Sequence, residues 1–202
     1  MKINNVLNKL FSSPASVSVL RELSKRNKGV TGRELSRLSG LTPQAAHNTL
    51  NNLESLGIVK RDFAGRSHIF TLNRQHYLFK NVVENIFIAE ENFRSDLFGK
   101  MVSSLKKVSE GIVLYGSVAR RDETTESDLD ICIITENKNE VENIISGLRN
   151  ELKESFGVSF APYIISRTDF EKKYEKNKSP VKEIVAEGKV LYGKILKGIK
   201  NG

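Results

Sequence analysis

Two aspartates and a glycine-serine pair stand out as residues that could bind a metal ion and phosphate groups. Asp128 and Asp130 are two residues apart in a predicted strand, so both carboxylates project from the same side of it. Adjacent carboxylates repel unless a hard cation lies between them, and Mg²⁺ held by carboxylates plus substrate phosphates is the common solution. Upstream, Gly116 permits close backbone approach, and Ser117, at the start of a predicted helix, offers its hydroxyl and N–H groups to a phosphate.

The sequence around these residues predicts the elements that hold them in place. Residues 111–134 have the pattern strand, tight turn, short helix, loop, strand. A helix is predicted at residues 139–155, a strand at 158–165 and a further helix from Asp169. The expected fold class for residues 110–202 is therefore α/β (α+β).

The spacing of this motif resembles the signature of the DNA polymerase β-type nucleotidyltransferase superfamily, in particular its minimal members. Gly116-Ser117-Val118-Ala119-Arg120 is followed by Asp128-Leu129-Asp130, with ten residues between Ser117 and Asp128, and the resemblance extends over about residues 85–193. It implies a mixed sheet flanked by helices for residues 110–202. It implies that Gly116 and Ser117 hold the β and γ phosphates of an NTP, with ATP expected, and that Arg120 assists. It also implies that Asp128 and Asp130 are catalytic and bind one or two Mg²⁺ or Mn²⁺ ions. The implied reaction moves a nucleoside monophosphate onto a hydroxyl and releases pyrophosphate.

The chain departs from this family pattern at two places. Arg121 stands where relatives often have glycine, which adds a second cation at the phosphate turn. Active members also carry a third carboxylate on a later strand, but no Asp or Glu lies between Glu154 and Asp169. A replacement would have to come from Glu154, Asp169 or Glu171, outside the strand. The sequence therefore favours nucleotide binding over transfer, and it leaves catalytic activity open.

The N-terminal part has a different organisation, which we expect to span residues 1–75. Thr31 and Thr42 are predicted N-caps of two short helices joined by a glycine turn, and residues 58–63 and 67–72 alternate like the strands of a hairpin. This order resembles the winged helix-turn-helix domains of bacterial and archaeal transcription regulators over about residues 12–74. The resemblance implies that residues 42–56 enter the major groove of DNA.

Charge supports double-stranded DNA as the partner of this part. Residues 1–80 hold 13 Lys/Arg against 4 Asp/Glu, whereas the rest of the chain is close to neutral. The exposed face of the second helix offers amides and an imidazole to base edges: Gln44, His47, Asn48, Asn51 and Asn52. Basic residues on the preceding helix and the wing are spaced to meet phosphates: Arg33, Arg37, Lys60, Arg61 and Arg66.

Residues 76–109 form a predicted connector whose apolar residues recur every three or four positions. The spacing indicates one long helix or two in succession. The apolar stripe could form the interface of a homodimer, or it could pack on the C-terminal domain of the same chain, and the sequence leaves both open.

Composition excludes several other classes of protein. The 202-residue chain has no apolar run long enough for a membrane helix and no secretory signal pattern, so a cytoplasmic protein without membrane contact is expected. Its single cysteine, Cys132, excludes an internal disulfide. The leading hypothesis is a DNA-binding transcription regulator with a fused minimal nucleotidyltransferase domain. The alternatives are an antitoxin-type protein that transfers AMP to a HEPN-like toxin partner and represses its own operon, and a catalytically silent nucleotide sensor.

Overall fold

The computed structural model describes residues 4–65 and 67–193, and the chain divides into two compact units between Asn92 and Phe93. Each unit has its own buried apolar core. Among the described residues, no helix combines the length and the apolar character needed to cross a membrane.

The first unit contains the predicted helix-turn-helix. The hydroxyl of Thr31 accepts a hydrogen bond from the backbone N–H of Glu34 at 3.2 Å, and that of Thr42 accepts one from Ala45 at 3.2 Å. Both predicted N-caps are thus confirmed, and with Pro43 at the first helical position they fix where the two helices begin. The elements in chain order are α1 (Val6–Leu10), α2 (Pro14–Ser24), β1 (Val30–Thr31), α3 (Gly32–Leu38), α4 (Pro43–Ser55), β2 (Val59–Ala64) and β3 (Ser67–Leu72).

The wing belongs to a three-stranded antiparallel sheet in the order β1-β3-β2. The hairpin of β2 and β3 confirms the predicted wing, with Val59 paired to Leu72 and Ala64 to Ser67. The sequence did not predict β1, because two residues have no periodicity of their own and become a strand only by pairing with β3.

The connector is helical, and each half joins a different core. A π-helical turn, Phe79–Val83, leads into α5 (Glu84–Leu105). Phe79, Val83 and Phe87 are buried in the core of the first unit. The buried residues farther along α5 belong to the core of the second unit: Leu97, Met101 and Leu105. The segment 76–109 is thus divided between the two units.

The second unit is built on a mixed sheet, as predicted. The strand order is β6-β5-β4-β7, in which β5 and β6 are parallel and the other pairs are antiparallel. The elements in chain order are β4 (Gly111–Leu114), α6 (Gly116–Arg120), β5 (Leu129–Ile134), α7 (Lys138–Phe156), β6 (Phe160–Ile165), α8 (Arg167–Glu175), α9 (Val181–Glu187) and β7 (Lys189–Gly193).

The two faces of this sheet are covered by different helices. Leu129, Ile131 and Ile133 share a core with residues of α5 and α7, whereas Cys132 and Ile134 share one with residues of α8 and α9. Because side chains alternate along a strand, residue 130 projects to the same face as Cys132. Burial raises the pKa of the Cys132 thiol to about 12, which keeps it a small uncharged core residue.

Candidate functional site

The phosphate turn and the aspartates meet through the pairing of β4 with β5. Leu114 pairs with Ile131, and the next N–H, that of Tyr115, donates a hydrogen bond to the carbonyl oxygen of Asp130 at 3.0 Å. Gly116 then begins α6 with φ of 71°, a left-handed conformation that suits glycine. A Cβ atom at Gly116 would collide with the carboxylate of Asp130, so the missing side chain leaves the space that this carboxylate occupies.

The electrostatics of the two aspartates favour a cation. Asp130 is half-buried and Asp128 is exposed. Burial raises the pKa of the Asp130 carboxyl, the negative charge of Asp128 raises it further, and Arg120 partly opposes both effects. The doubly ionised pair is therefore disfavoured by its surroundings, and a bound cation would relieve that cost.

Arg120 and Arg121 lie at the C-terminal end of α6. The exposed guanidinium of Arg120 forms ion pairs with Glu187 of α9 at 2.7 Å and with Asp122 at 3.1 Å. No local sequence signal indicates the pair with Glu187, because the partners are 67 residues apart. Arg121 has φ of 68°, so the position at which relatives often carry glycine does adopt a glycine-type backbone here.

The third carboxylate does not lie on β6. The residue paired with Asp130 on that strand is Ala161, and the N–H of Leu129 donates to the carbonyl oxygen of Ser159 at 2.8 Å. Within residues 4–65 and 67–193, no group of three or more acidic, histidine or cysteine side chains could hold a metal ion. Of the described carboxylates, that of Asp130 lies against the Gly116 turn, and that of Asp128 is close enough to raise the pKa of Asp130.

The two aspartates fit one metal ion bound together with a nucleotide, but they do not fit a site for two metal ions. A Mg²⁺ ion is usually held by one or two carboxylates together with substrate phosphates and water, which Asp128, Asp130 and a nucleotide at the Gly116 turn would supply. A second metal ion held by a carboxylate on β6 does not fit, because Ala161 occupies that position.

The predicted base-reading residues lie on one helix. Gln44, His47 and Asn48 are exposed on α4, where Gln44 donates to the side-chain oxygen of Asn48 at 3.0 Å. Asn51 is half-buried and lies 3.1 Å from the ring of His47. Asn52 instead donates to the carbonyl oxygen of Lys9 at 3.4 Å, which turns it toward the chain's own N-terminal segment.

The predicted phosphate contacts fall into different environments. Arg33, Arg37 and Lys60 are exposed. Arg61 is half-buried: its guanidinium pairs with Glu54, donates to the side-chain oxygen of Asn51 at 2.7 Å and lies 5.5 Å from the ring centre of Phe70. Arg61 thus connects the wing to α4. Arg66 lies outside the described residues.

Comparisons with known families match both parts of the chain. Residues 13–66 match the model of the MarR family, and residues 100–195 match the model described as Polymerase beta, Nucleotidyltransferase. The chain joins a MarR-type winged helix to a nucleotidyltransferase domain. The family models thus agree with the two resemblances read from the sequence. A search of curated proteins finds no match.

Three solved structures are each similar to less than half of this fusion protein. A predicted DNA-binding transcriptional regulator from E. coli aligns with 43% of the chain and 84% of its own, at 22% identity and a TM-score of 0.36. The Mycobacterium tuberculosis MarR family protein Rv2887, in complex with salicylic acid, aligns at 32% identity over 46% of this chain and 75% of its own, with a TM-score of 0.29. A toxin-antitoxin structure with AMP-PNP aligns at 19% identity over 48% of this chain and 73% of its own, with a TM-score of 0.32.

Proposed function

We propose that this protein is a transcription regulator that binds double-stranded DNA through α4 and the wing, and binds Mg²⁺-NTP in its nucleotidyltransferase domain. ATP is the expected nucleotide, and a homodimer is the expected form on palindromic DNA. The observation that carries the nucleotide site is the contact between the turn at Gly116 and the carboxylate of Asp130, beside a second carboxylate, Asp128. This contact supports the proposal, because the turn that would hold phosphates lies next to a carboxylate that would hold the cation.

Each residue of the site has a separate task. The backbone at Gly116 and the hydroxyl of Ser117 would hold phosphate oxygens, and Asp128 and Asp130 would hold the cation. The bound cation would neutralise the developing charge on the phosphates. In a transfer, the acceptor hydroxyl oxygen bonds to the α-phosphorus, the bond between the α-phosphorus and the bridging oxygen breaks, pyrophosphate leaves, and the hydroxyl proton passes to solvent.

The environment of the acceptor hydroxyl favours slow transfer or none. Ala161 stands beside Asp130, so β6 provides no carboxylate to take the proton of the attacking hydroxyl. This observation supports the second candidate, a nucleotide sensor that binds Mg²⁺-NTP without turnover. Transfer of AMP to a HEPN-like toxin remains the enzymatic alternative, and the same assay distinguishes it.

The nucleotide site can be tested with α-³²P-labelled NTPs and Mg²⁺ or Mn²⁺. Equilibrium binding and pyrophosphate release are measured for the wild type, for Asp128→Asn/Asp130→Asn, and for Glu123→Gln/Glu126→Gln. The control variant removes the same charge from the exposed loop just before the aspartates. We expect binding to be lost only in the aspartate variant. Equal binding by all three proteins would refute the proposed site.

Pyrophosphate release in the same samples distinguishes the candidate functions from one another. Pyrophosphate release that depends on Asp128 and Asp130 identifies a transferase, and a label on an added all-helical partner protein identifies the antitoxin-type activity. Binding without release identifies the sensor.

The DNA interface requires a separate measurement. His47→Ala/Asn48→Ala removes two exposed side chains from α4, and Asn81→Ala/Asn85→Ala removes two amides from the connector as a control. We expect a loss of operator affinity of about 1–3 kcal/mol per base contact only for the first variant. Unchanged affinity in both would exclude α4 as the base-reading element.

A further inference from the structure

A cavity of the second unit is lined by lysines that the proposed nucleotide site does not use. It has a volume of about 270 Å³ and lies where β6, α8 and the start of α7 meet. Its lining includes five lysine side chains, one aspartate and the side chain of Tyr163. The lysines are Lys138, Lys172, Lys173, Lys176 and Lys178, and the aspartate is Asp169.

Among the described residues, lysines outnumber acidic residues five to one in the lining of this cavity. The acidic residues Glu171 and Glu175 of α8 are exposed and do not line it, whereas the neighbouring lysines do. In the described part of the chain, none of the five lysines forms an ion pair with a carboxylate. Lys172 on α8 and Lys176, the residue that caps its C-terminal end, are four residues apart, a spacing at which like charges repel. An anionic ligand would remove that repulsion.

One lysine is held in place at the wall of the cavity. The ammonium group of Lys173 donates a hydrogen bond to the hydroxyl of Tyr163 at 2.7 Å and lies 5.3 Å from the centre of its ring. This hydrogen bond is the main reason that the pKa of Lys173 is raised. Lys173 therefore remains a cation, and its position is fixed by β6.

The cavity lies on the same sheet face as the aspartates. On β6, Ala161 pairs with Asp130 and Tyr163 pairs with Cys132, and paired residues project to the same face. Tyr163 is two residues farther along the neighbouring strand, which places its Cα about 8 Å from that of Asp130 at standard strand spacings. Ala161 and Tyr163 are half-buried on the edge strand β6, so a ligand could reach from the lysines toward the aspartates along this edge of the sheet.

We propose that the lysine cavity binds the phosphate backbone of a single-stranded polynucleotide, such as RNA. The strand would be the acceptor, or the sensed ligand, of the domain, so this role rests on the function proposed above. The lysines come from three segments, the start of α7, α8 and the residues just after α8, so the lining offers more cationic groups than a single phosphate requires. A recessed cavity lined by cations and a tyrosine suits a flexible strand, whose phosphates can enter it one at a time.

The test measures binding of a 5′-fluorescein-labelled 12-nucleotide RNA by anisotropy over a range of salt concentrations. The pocket variant is Lys172→Gln/Lys173→Gln/Lys176→Gln, and the matched control is Lys106→Gln/Lys107→Gln/Lys153→Gln, which removes three exposed lysines from the same unit. All variants also carry His47→Ala/Asn48→Ala, so that the winged helix contributes equally. Lys172→Glu/Lys176→Glu provides a second pocket variant that keeps the bond between Lys173 and Tyr163 intact.

The salt dependence gives the expected magnitude. Each phosphate contact of a single strand contributes about 0.7 to the slope of log K against log salt, so losing three contacts lowers the slope by about 2. We expect this loss in the pocket variant and no change in the control. Equal losses in both variants, or no loss in either pocket variant, would overturn the proposal.

Two further measurements separate this proposal from the nucleotide site. Mg²⁺-NTP affinity is expected to be unchanged in the pocket variant, and RNA affinity unchanged in Asp128→Asn/Asp130→Asn. RNA binding that depends on the lysines, without any NTP binding, would refute the proposed function but not the polynucleotide site. NTP binding without RNA binding would refute only the polynucleotide site. Competition by inorganic phosphate as effective as RNA, at equal phosphate concentration, would show a site for single phosphates and overturn the proposal.

Discussion

Replacing Gly116 with alanine tests the close contact on which the nucleotide site depends. The new side chain would have to adopt φ near 71°, which costs about 1–2 kcal/mol in a residue other than glycine. Its Cβ would also overlap the carboxylate of Asp130, and forcing extra atoms into an occupied space costs about 1–3 kcal/mol more. Asp130 must move to relieve the overlap, so the cation would lose a ligand.

A second glycine provides the matched control. Gly157 ends α7 with φ of 67°, and a Cβ there would meet nothing within 4 Å. Gly157→Ala therefore carries the backbone cost without the steric one. In urea denaturation, Gly116→Ala is expected to lose about 1–3 kcal/mol more stability than Gly157→Ala. Mg²⁺-NTP affinity is expected to fall about 10–100-fold only in Gly116→Ala, as in other sites where the support of a metal ligand is lost.

A double-mutant cycle isolates the contact itself. In an Asp130→Ala background the overlapping carboxylate is gone and only the Cβ of residue 130, 3.2 Å from the new Cβ, remains, so most of the extra cost of Gly116→Ala over Gly157→Ala should disappear. The reasoning would be refuted if Gly116→Ala cost the same with and without Asp130, and if the single variant still bound Mg²⁺-NTP as the wild type does.

Three further predictions concern backbone strain, titration and the wing. Arg121→Gly should stabilise the protein by up to about 1 kcal/mol, because glycine adopts the left-handed backbone of this position without steric cost, while Arg121→Ala should not. Equal effects of the two variants in a denaturation series would contradict this. Burial and Asp128 raise the folded-state pKa of Asp130 above 3.8, so wild-type stability should fall as pH rises from about 3.8 through that raised pKa. Asp130→Asn should remove this decline, and melting temperatures that change with pH in the same way in both proteins would count against it. Lys60→Ala should lower the slope of log K for DNA binding against log salt by about 0.9, whereas Arg61→Ala should chiefly destabilise the first unit. If salt titrations and thermal melts gave the reverse pattern, Arg61 would be the phosphate contact and Lys60 the stabilising residue.

Local signals in the sequence were sufficient for much of the fold. Thr31 and Thr42 were predicted as N-caps from their own neighbourhoods, and each hydroxyl does bond the N–H three residues on. The hairpin of the wing was predicted from alternation over residues 58–63 and 67–72, and the strands form at Val59–Ala64 and Ser67–Leu72. Caps, turns and alternation depend on residues within one turn or one strand, so the sequence displays them directly.

The motif at Gly116, Ser117, Asp128 and Asp130 also determined which chemistry to expect, because residue type and spacing were enough. Only the tertiary structure decided how these residues meet. The collision of a Cβ at Gly116 with Asp130 depends on the register of β4 against β5, and Ala161 stands beside Asp130 because β6 pairs with β5 in parallel. Such contacts join positions far apart in the chain, whose pairing is fixed by the packing of the whole sheet.

For two groups of basic residues, the sequence indicates the charge, and the tertiary structure determines which groups lie around it. Arg61 was predicted to contact phosphate, and only the folded unit shows it paired with Glu54 and Asn51. In the sequence, the lysines of α8 have the pattern of a charged helix face. Only in the folded unit do they line a cavity together with residues of β6 and α7. A sequence determines which groups are charged, apolar or able to cap a helix, because these are properties of single residues and their neighbours. Which charges meet is decided by the tertiary structure, since burial and distance exist only once the strands and helices have packed.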